Sequence, residues 1–438
     1  MAERTAEPLA AASKPRSGIR GVYWGWWIVG VAFAAQFVTA GSQNYIAGAF
    51  TKPMTADLGW TRAEFVLART YGQFILAFTG FFIGTYVDRH GGRRPMTVGI
   101  VVLSTALFLC SYVHELWQWW LLNGLVLTAG AAMVGNLVVN VTLSKWFVEK
   151  RGRVFSTAAM GVSSAGVLLT PMAALLVDEL GWRMAWQVLA AGALILILPL
   201  TFIMRRMPED YGLHPDGKTA EEVAAGEGLL AAADYATSLT RQQAVWTLPF
   251  YFIVFGFGFG SLSIGVMLLQ TIPYMTDAGY SVKTASLMIT LTSIPSLLSK
   301  PVWGWLSDRV DAKAAVIGFM TNAVALVIIV FTVRVHATSG VYAGFFLLGL
   351  GWGGLIPMQE VVWASFFGRR YLGAVRSAGL PFALLIGASS PFLTAFYFDR
   401  IGNYDGAFLT VAALAVVATV LLLFAQKPEA RRGLAIRG

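Results

Sequence analysis

The amino-acid sequence predicts an all-α polytopic membrane protein with 12 transmembrane helices in two six-helix, pseudo-symmetric bundles. Only 13% of its 438 residues are charged, whereas soluble domains carry about 25%. Apolar stretches of about 20 residues, the length that crosses a ~30 Å hydrocarbon core, fill most of the chain. A sequence repeat whose copies lie 220 residues apart divides these stretches into two similar halves.

Twelve apolar segments follow one another along the chain, and we interpret each as one membrane crossing. They cover residues 22–48, 63–86, 95–113, 117–143, 153–177, 184–204, 246–273, 282–306, 313–333, 340–364, 375–397 and 405–425. A long polar interruption separates the sixth segment from the seventh. The predicted domains are an N-terminal tail (1–21), a first bundle (22–204), a linker (205–245), a second bundle (246–426) and a C-terminal tail (427–438).

The repeat is clearest after the first segment of each half. The stretch 51–60, TKPMTADLGW, aligns with 271–280, TIPYMTDAGY, at the Thr, Pro, Asp, Gly and aromatic positions. The pair Asp88-Arg89 maps onto Asp308-Arg309 at the same offset. An offset shared by separate loops indicates duplication. Six-helix halves repeated in parallel around an axis normal to the membrane are the architecture of one large transporter group.

The basic residues indicate how the chain is oriented. The net charge of +9 comes from Lys and Arg in short loops between apolar segments, which is typical of topology signals rather than of nucleic-acid binding. With both termini inside, most of these residues fall on the inner side. We therefore expect a multi-pass protein of the plasma (inner) membrane, with cytoplasmic termini and the lipid bilayer as its surroundings.

The stretch 84–94, GTYVDRHGGRR, carries the most specific motif. It resembles the signature of the major facilitator superfamily between the second and third helices, G-x-x-x-D-[RK]-x-G-x-[RK]-[RK]. The matching residues are Gly84, Asp88, Arg89, Gly91, Arg93 and Arg94, with a partial echo at Gly304, Asp308 and Arg309. The resemblance implies a major facilitator fold and a conformational, rather than a substrate-binding, role for these loops.

Several further stretches resemble the bacterial monocarboxylate-transporter and oxalate/formate-antiporter group. They are YWGWW at 23–27, GWTR at 59–62, KWFVEKRGR at 145–153, PEDYGL at 208–213 and FGRR at 367–370. In that group, carboxylate carriers commonly have a basic residue deep in the eighth helix, and oxalate-type carriers add a lysine in the eleventh. Here the eighth helix offers Lys300, which we expect near the inner surface, and the eleventh offers Arg376 at its cytoplasmic start.

Charged residues inside apolar segments are costly and therefore candidates for function. Arg69 lies about seven residues into the second segment, with Gln73 one turn later. A guanidinium can bind a carboxylate with two hydrogen bonds, so Arg69 is the candidate for binding an anionic substrate. A structural pair with a helix end or a carbonyl group explains it equally well.

Glu360 is the acidic residue that lies well inside an apolar segment, the tenth. One interpretation is a carboxylate that couples transport to protons, because burial shifts such groups toward the working pH range. The other is an ion pair with an inner-side Lys or Arg, since Arg369 follows nine residues later.

Uncharged polar residues at helical spacing complete the predicted substrate site. Amide side chains are disfavoured in lipid, so they face either a central cavity or a neighbouring helix. The candidates are Gln36 and Gln43 on the first helix, Asn136 and Asn140 on the fourth, and Gln270 and Tyr274 on the seventh.

The sequence has no phosphate loop and no metal-ligand spacing, and it has one cysteine, Cys110. We therefore expect no enzyme activity, no cofactor and no metal. The predicted function is secondary active transport of a small organic anion, monocarboxylate-like, by alternating access, with proton coupling or exchange. The alternative is a major facilitator carrier of an uncharged or aromatic-containing metabolite or drug, in which Arg69 is structural. We expect the chain to function as a monomer.

Overall fold

The computed structural model describes residues 22–226, 229–310 and 313–429. The predicted N-terminal tail and residues 430–438 of the C-terminal tail lie outside these ranges. Across the described residues the chain is helical and contains no β-strand.

The first bundle contains six helices. They are α1 (Trp24–Leu58), α2 (Arg62–His90), α3 (Arg93–Tyr112), α4 (Leu116–Trp146) and the stretch Arg151–Thr201, which holds α5 (151–180) and α6 (182–201). The dihedral angles of Gly181, φ 75° and ψ 159°, break that stretch into two helices without an intervening loop. Glycine adopts this left-handed region without steric cost. The reversal lets α6 run back along α3, where Gln187 donates to Ser111 and Thr97 to Thr201.

Local sequence explains where α2 begins and ends. The Thr61 side chain accepts from the Glu64 backbone N–H, and the Glu64 carboxylate accepts from the Thr61 N–H, which forms a capping box. At the other end Gly91 has φ 82° and stops the helix.

The second bundle repeats this arrangement. It contains α7 (Leu248–Asp277), α8 (Val282–Val310), α9 (Lys313–Arg334), α10 (Thr338–Phe367), α11 (Leu372–Ala378 continuing as Leu380–Ile401) and α12 (Asp405–Phe424). Among the described residues, eight helical stretches are long and apolar enough to cross a membrane; they hold nine of these helices, since Arg151–Thr201 contains two, and α2, α8 and α11 complete the twelve. The twelve-helix prediction is therefore confirmed for the described part of the chain.

Each bundle has its own apolar core, and in each an aromatic residue of the first helix packs against an aromatic residue of the last helix. In the first, Phe50 of α1 stacks on Trp186 of α6 with ring centroids 3.9 Å apart. In the second, Tyr274 of α7 packs edge-on against Phe408 of α12 at 4.7 Å. Because lipid tails are as apolar as these rings, the rings stabilise each half through close van der Waals packing between helices rather than through removal from water.

Three loops with basic residues, 90–93, 146–151 and 368–371, lie on one side of the molecule together with the linker; we call this side the basic face. The linker is fixed against the bundles, because its acidic residues form hydrogen bonds with both of them. Asp216 accepts backbone hydrogen bonds from Val148, Glu149 and Lys150. Burial raises the pKa of the Asp216 carboxyl, and these hydrogen bonds oppose that shift.

Asp234, in the linker helix Leu229–Ala236, joins the two bundles more directly. Its carboxylate accepts two hydrogen bonds from the Arg151 guanidinium, at 3.2 and 3.0 Å. It also accepts one from the Arg369 backbone N–H at 3.2 Å. Asp234 is 3% exposed, so a buried carboxylate ties the start of α5 to the loop before α11.

Candidate functional site

A cavity of about 250 Å³ lies between the two bundles, among α1, α2, α4, α5, α10 and α11. Its polar lining residues are Gln36, Thr39, Gln43, Asn44, Asn136, Glu360 and Arg376. Three of the predicted amides, together with Glu360, therefore face one space, which we call the central cavity. Apolar residues such as Leu76 and Ile356 complete the wall, as is usual for small-molecule sites.

The amides of the first bundle are organised as a network. The Gln36 amide donates to the Asn140 carbonyl oxygen at 3.3 Å, and the Asn140 amide in turn donates to the Asn136 carbonyl oxygen. Gln36 and Asn140 are buried. Asn140 thus lies behind the cavity wall, where it orients two residues that do reach the cavity. The Gln36 carbonyl oxygen has no hydrogen-bond partner among the described residues and remains available as an acceptor.

Glu360 of α10 and Arg376 of α11 form an ion pair on the opposite wall. The Arg376 Nη2 lies 3.3 Å from the Glu360 Oε1, and the two residues are 8% and 3% exposed. Arg376 also packs over the Trp363 ring, with Cζ 5.6 Å from its centroid. The Arg376 Nε is buried without a hydrogen-bond partner among the described residues. The guanidinium therefore has a donor left over beside the cavity.

The sequence analysis predicted this ion pair only in part. An ion pair for Glu360 was one of the two interpretations, but its partner is Arg376 and not Arg369, which binds Glu209 and the Lys145 carbonyl. Arg376 does lie in the first turns of α11, as expected, yet its side chain reaches the cavity. Arg376 was not among the predicted site residues; the signal that could have identified it is the basic residue that the resembling carriers have in the eleventh helix.

Arg69 and Gln73 lie outside the lining of the central cavity. The Arg69 Nη2 donates to the Asn44 carbonyl oxygen at 2.8 Å, and Asn44 itself lines the cavity. Arg69 precedes the lining residue Leu76 by seven positions, which is about 10 Å along a helix. It is exposed and lies toward the face opposite the basic face, while Gln73 is half-buried one turn further in.

Gln270 and Tyr274 are not brought to the central cavity. Tyr274 is 4% exposed and packs against Phe408 of α12 and against Tyr404, which directly precedes that helix. At the repeat offset it corresponds to Met54, which packs against Trp186 of α6. Both positions face the last helix of their own bundle, which explains why a polar aromatic residue on α7 is part of the core. Gln270, one turn earlier, is half-buried.

Lys300 of α8 is buried rather than placed at the surface, with 2% of the residue exposed. Its Nζ donates to the Ser163 hydroxyl of α5 at 2.8 Å and to the Ser296 carbonyl at 3.3 Å. A cation of the second bundle thus contacts the first bundle through a neutral partner.

The signature residue Asp88 joins the bundles at the basic face. Its carboxylate accepts from the backbone N–H groups of Gly373 and Ala374, at 3.0 and 2.7 Å, in the first turn of α11. A carboxylate is stabilised there because the first N–H groups of a helix lack internal partners. Lys145 lies 3.5 Å from the same carboxylate.

Asp308 of the second bundle makes the equivalent contact with the first bundle. It accepts from the N–H groups of Gly152 and Arg153, at 2.5 and 3.2 Å, in the first turn of α5. The Arg153 side chain pairs with it at 3.3 Å.

Glycines permit both contacts. A Cβ at Gly84 would lie 2.2 Å from the Gly373 carbonyl oxygen, and one at Gly152 would lie 2.2 Å from the Gly304 carbonyl oxygen. Among the described residues, the hydrogen bonds that join the bundles directly lie in the half of the molecule near the basic face. The conformation is therefore closed on this side.

The remaining basic residues of the two motifs are at the surface. Arg93 packs over the Phe202 ring at 4.8 Å and Arg309 over the Trp305 ring at 4.1 Å. Arg89 and Arg94 are exposed. These four residues therefore place positive charge at the surface of the basic face and do not line the central cavity.

A sequence model of the Major Facilitator Superfamily matches residues 32–375 and, in a second match, residues 265–438. Monocarboxylate transporter 11 of Mus musculus is 25% identical over 412 residues, which cover 89% of this chain and 85% of the relative. The oxalate:formate antiporter of Oxalobacter formigenes is 25% identical over 407 residues, which cover 91% of each chain.

The solved structure of the proton:xylose symporter XylE, bound to 6-bromo-6-deoxy-D-glucose, is similar in fold. The TM-score is 0.77 at 10% identity, and the match covers 94% of this chain and 98% of the other. At this identity the likeness concerns the fold alone.

Proposed function

This chain belongs to the major facilitator superfamily, a family of membrane transporters, and on that premise we propose that it carries a small organic anion by alternating access. The substrate would bind in the central cavity, and the bundles would rock to expose it to each side in turn. The names of the two relatives, a monocarboxylate transporter and an oxalate:formate antiporter, support a carboxylate as the substrate class.

The observation that carries the proposal is the position of Arg376. A guanidinium on the wall of a cavity between the bundles, which among the described residues has one carboxylate partner and no partner for Nε, suits an incoming carboxylate. Arginine can bind that group with two parallel hydrogen bonds. The amides of Gln36, Gln43 and Asn136 face the same cavity and would orient the rest of the substrate, with Asn140 holding them in place.

Glu360 would couple the movement of the anion to a proton. While its carboxylate is ionised, it occupies one donor of Arg376. Protonation of Glu360 removes the attraction and frees the guanidinium for the substrate carboxylate. Proton and anion would then bind together, and the loaded cavity would carry no additional net charge, which lowers the electrostatic cost of moving through the membrane.

Arg69 would act earlier, at the mouth of the cavity. It is exposed on the side opposite the basic face and contacts the lining residue Asn44. Gln73 would extend that polar path. Gln270 and Tyr274 are left out of the proposed site, because they lie off the central cavity.

We propose the membrane orientation from charge. Under the positive-inside rule the basic face is cytoplasmic, and so are both termini. The conformation described here would then be closed to the cytoplasm. We expect the chain to act as a monomer in the inner membrane, with no cofactor or metal.

The test is uptake by proteoliposomes across a panel of labelled carboxylates, with and without a pH gradient. We expect Arg376→Gln to abolish uptake, since it removes the guanidinium from the cavity. Arg334→Gln is the matched control, because Arg334 forms an exposed pair with Asp405 at the opposite face. Equal uptake by the Arg376 variant and the control would refute the binding role.

The alternative substrate is an uncharged or aromatic-containing metabolite or drug, and the hydrogen bond between Arg69 and Asn44 favours it. In that case Arg69 is a structural residue. Arg69→Gln would then leave KM unchanged, whereas a role in attracting anions requires a higher KM that depends on salt concentration. Arg183→Gln, which removes another exposed arginine that pairs with Asp57, controls for general charge.

A further inference from the structure

A second cavity, of about 520 Å³, opens at the basic face between α2, α4, α11 and the linker. Among the described residues, none that lines this cavity also lines the central cavity. We call it the basic pocket. Its charged lining residues are Asp88, Arg89, Lys145, Arg206, Arg241, Arg369 and Arg370.

Part of this positive charge is already compensated. Lys145 pairs with Asp88, Arg206 binds both oxygens of Asp210, and Arg369 pairs with Glu209. The carboxylate of Asp88 is also bound by two backbone N–H groups. Its repulsion of an incoming anion is therefore weakened.

Three cations remain without a carboxylate at ion-pair distance within the described ranges: Arg89, Arg241 and Arg370. Arg370 is exposed and lies over the rings of Tyr235 and Tyr371, at 5.0 Å from each centroid. Arg89 is exposed as well. Surplus cations around one concave space are what binding of a multivalent anion requires.

Arg241 belongs to the linker and forms hydrogen bonds with both bundles at the wall of the basic pocket. Its guanidinium donates to the Phe81 carbonyl and the Thr85 hydroxyl of α2, at 3.2 and 2.6 Å, and to the Ala374 carbonyl of α11, at 2.9 Å. These three partners, and the Ser377 hydroxyl of α11 at 3.4 Å, are neutral. Burial lowers the pKa of Arg241 from its ordinary value, and the Asp88 carboxylate in the same pocket opposes that shift without forming an ion pair with it.

We propose that the basic pocket binds a phosphate-bearing anion, and that the bound anion stabilises the conformation closed at the basic face. Phosphate presents several oxygens to the fork-like donors of arginine and carries more charge than a carboxylate. The walls come from the first bundle, the second bundle and the linker, so they meet only when this face is closed. A ligand that binds one conformation better shifts the population toward it.

Two sources share this chemistry: a soluble phosphate compound and the headgroup of an anionic lipid. The first arm of the experiment uses the full-length chain in neutral detergent, titrated calorimetrically with inorganic pyrophosphate in phosphate-free buffer. The second uses nanodiscs of phosphatidylcholine with and without phosphatidylglycerol.

In nanodiscs the readout is the distance between spin labels at His114→Cys and Val335→Cys. These two exposed loop positions lie at the face opposite the basic face, one in each bundle. The native Cys110 is fully buried and does not interfere. Closure of the basic face should lengthen this distance.

Arg370→Gln and Arg89→Gln are the test variants, both at exposed positions whose replacement leaves no buried group unpaired. Lys313→Gln is the control, because Lys313 is an exposed cation at the start of α9, outside the pocket. We expect each test variant to weaken pyrophosphate binding by about tenfold, or to abolish the lengthening caused by phosphatidylglycerol, while the control does neither.

An arginine-dependent effect in detergent identifies a soluble anion as the ligand, and one confined to nanodiscs identifies a lipid headgroup. Both support the pocket. The proposal is overturned if neither arm responds to the two substitutions, or if Lys313→Gln weakens binding as much as they do. Because binding and distance are measured without transport, a failure of the substrate proposal would leave these results unchanged.

Discussion

Asp88 and Asp308, 220 residues apart in the chain, each cap the first turn of a helix in the opposite bundle. Asp88 of the first bundle binds the start of α11, and Asp308 of the second binds the start of α5. The duplication thus supplies two reciprocal contacts between the bundles, each made by an acidic residue of one half. We call these two contacts together the lock. In the proposed orientation, both contacts must open before the cavity can face the cytoplasm.

Asp308→Asn should weaken this lock and shift the population toward the state open at the basic face. Loss of the charge at a helix N-terminus costs about 1 kcal/mol, roughly a fivefold change in population. Spin labels at His114→Cys and Val335→Cys should report a larger fraction of short distances. Asp178→Asn is the control, since Asp178 is an exposed residue at the far end of α5. An unchanged distance distribution would show that Asp308 does not hold the lock.

Gly84→Ala should act as a wedge between α2 and α11. The added methyl group would lie 2.2 Å from the Gly373 carbonyl oxygen, so the helices must move apart at a cost of about 1–3 kcal/mol. We expect a lower Tm and the same change in spin-label distance as for Asp308→Asn. Gly192→Ala on α6 is the matched control, because no atom of the described residues lies within 4 Å of its Cβ position. Similar behaviour of both variants would contradict a close approach at Gly84.

Glu360→Gln should separate proton coupling from substrate movement. The amide cannot ionise, so Arg376 stays free for the substrate, and exchange of labelled for unlabelled carboxylate should continue in proteoliposomes. Accumulation driven by a pH gradient should be lost. Glu179→Gln, at an exposed position, is expected to retain both activities. If Glu360→Gln still accumulates substrate against its gradient, the coupling role is incorrect.

Asp234→Asn should destabilise the fold by about 3–5 kcal/mol, because it leaves the buried guanidinium of Arg151 without its counter-charge. Thermal unfolding can be followed with a thiol-reactive dye, since the single cysteine, Cys110, is fully buried until the first bundle opens. Asp210→Asn removes a more exposed carboxylate, the partner of Arg206, and should cost about 0–1 kcal/mol. Equal shifts in Tm would mean that the linker carboxylate at 234 is not a structural link.

The helices were predictable because crossing length and hydrophobicity are local properties. Their ends were less so, because capping overrides hydropathy: Thr61 and Glu64 start α2 just before its apolar run, and Gly91 ends it after the polar residues Asp88 and Arg89. Such signals depend on backbone geometry that an apolar profile does not contain.

The site was predicted in part for a related reason. Gln36, Gln43 and Asn136 lie where helical spacing and membrane polarity indicated, on the inner surfaces of their helices. Arg376 was harder to recognise, because its partner Glu360 lies 16 residues earlier, on another helix. Asp88 and Asp308 each contact the opposite bundle through two backbone N–H groups, which have no side-chain signature. Only the packing of one bundle on the other reveals them.

The single-residue turn at Gly181 has a consequence for how the protein reaches the membrane. Since α5 and α6 meet at Gly181 without a loop, the charged residues between their apolar runs, Asp178, Glu179 and Arg183, belong to the helix ends themselves, and no separate segment spaces the two crossings. We expect the two helices to leave the translocation machinery together, as a preformed hairpin. Their order of insertion is then set during synthesis, before the second bundle exists to pack against them.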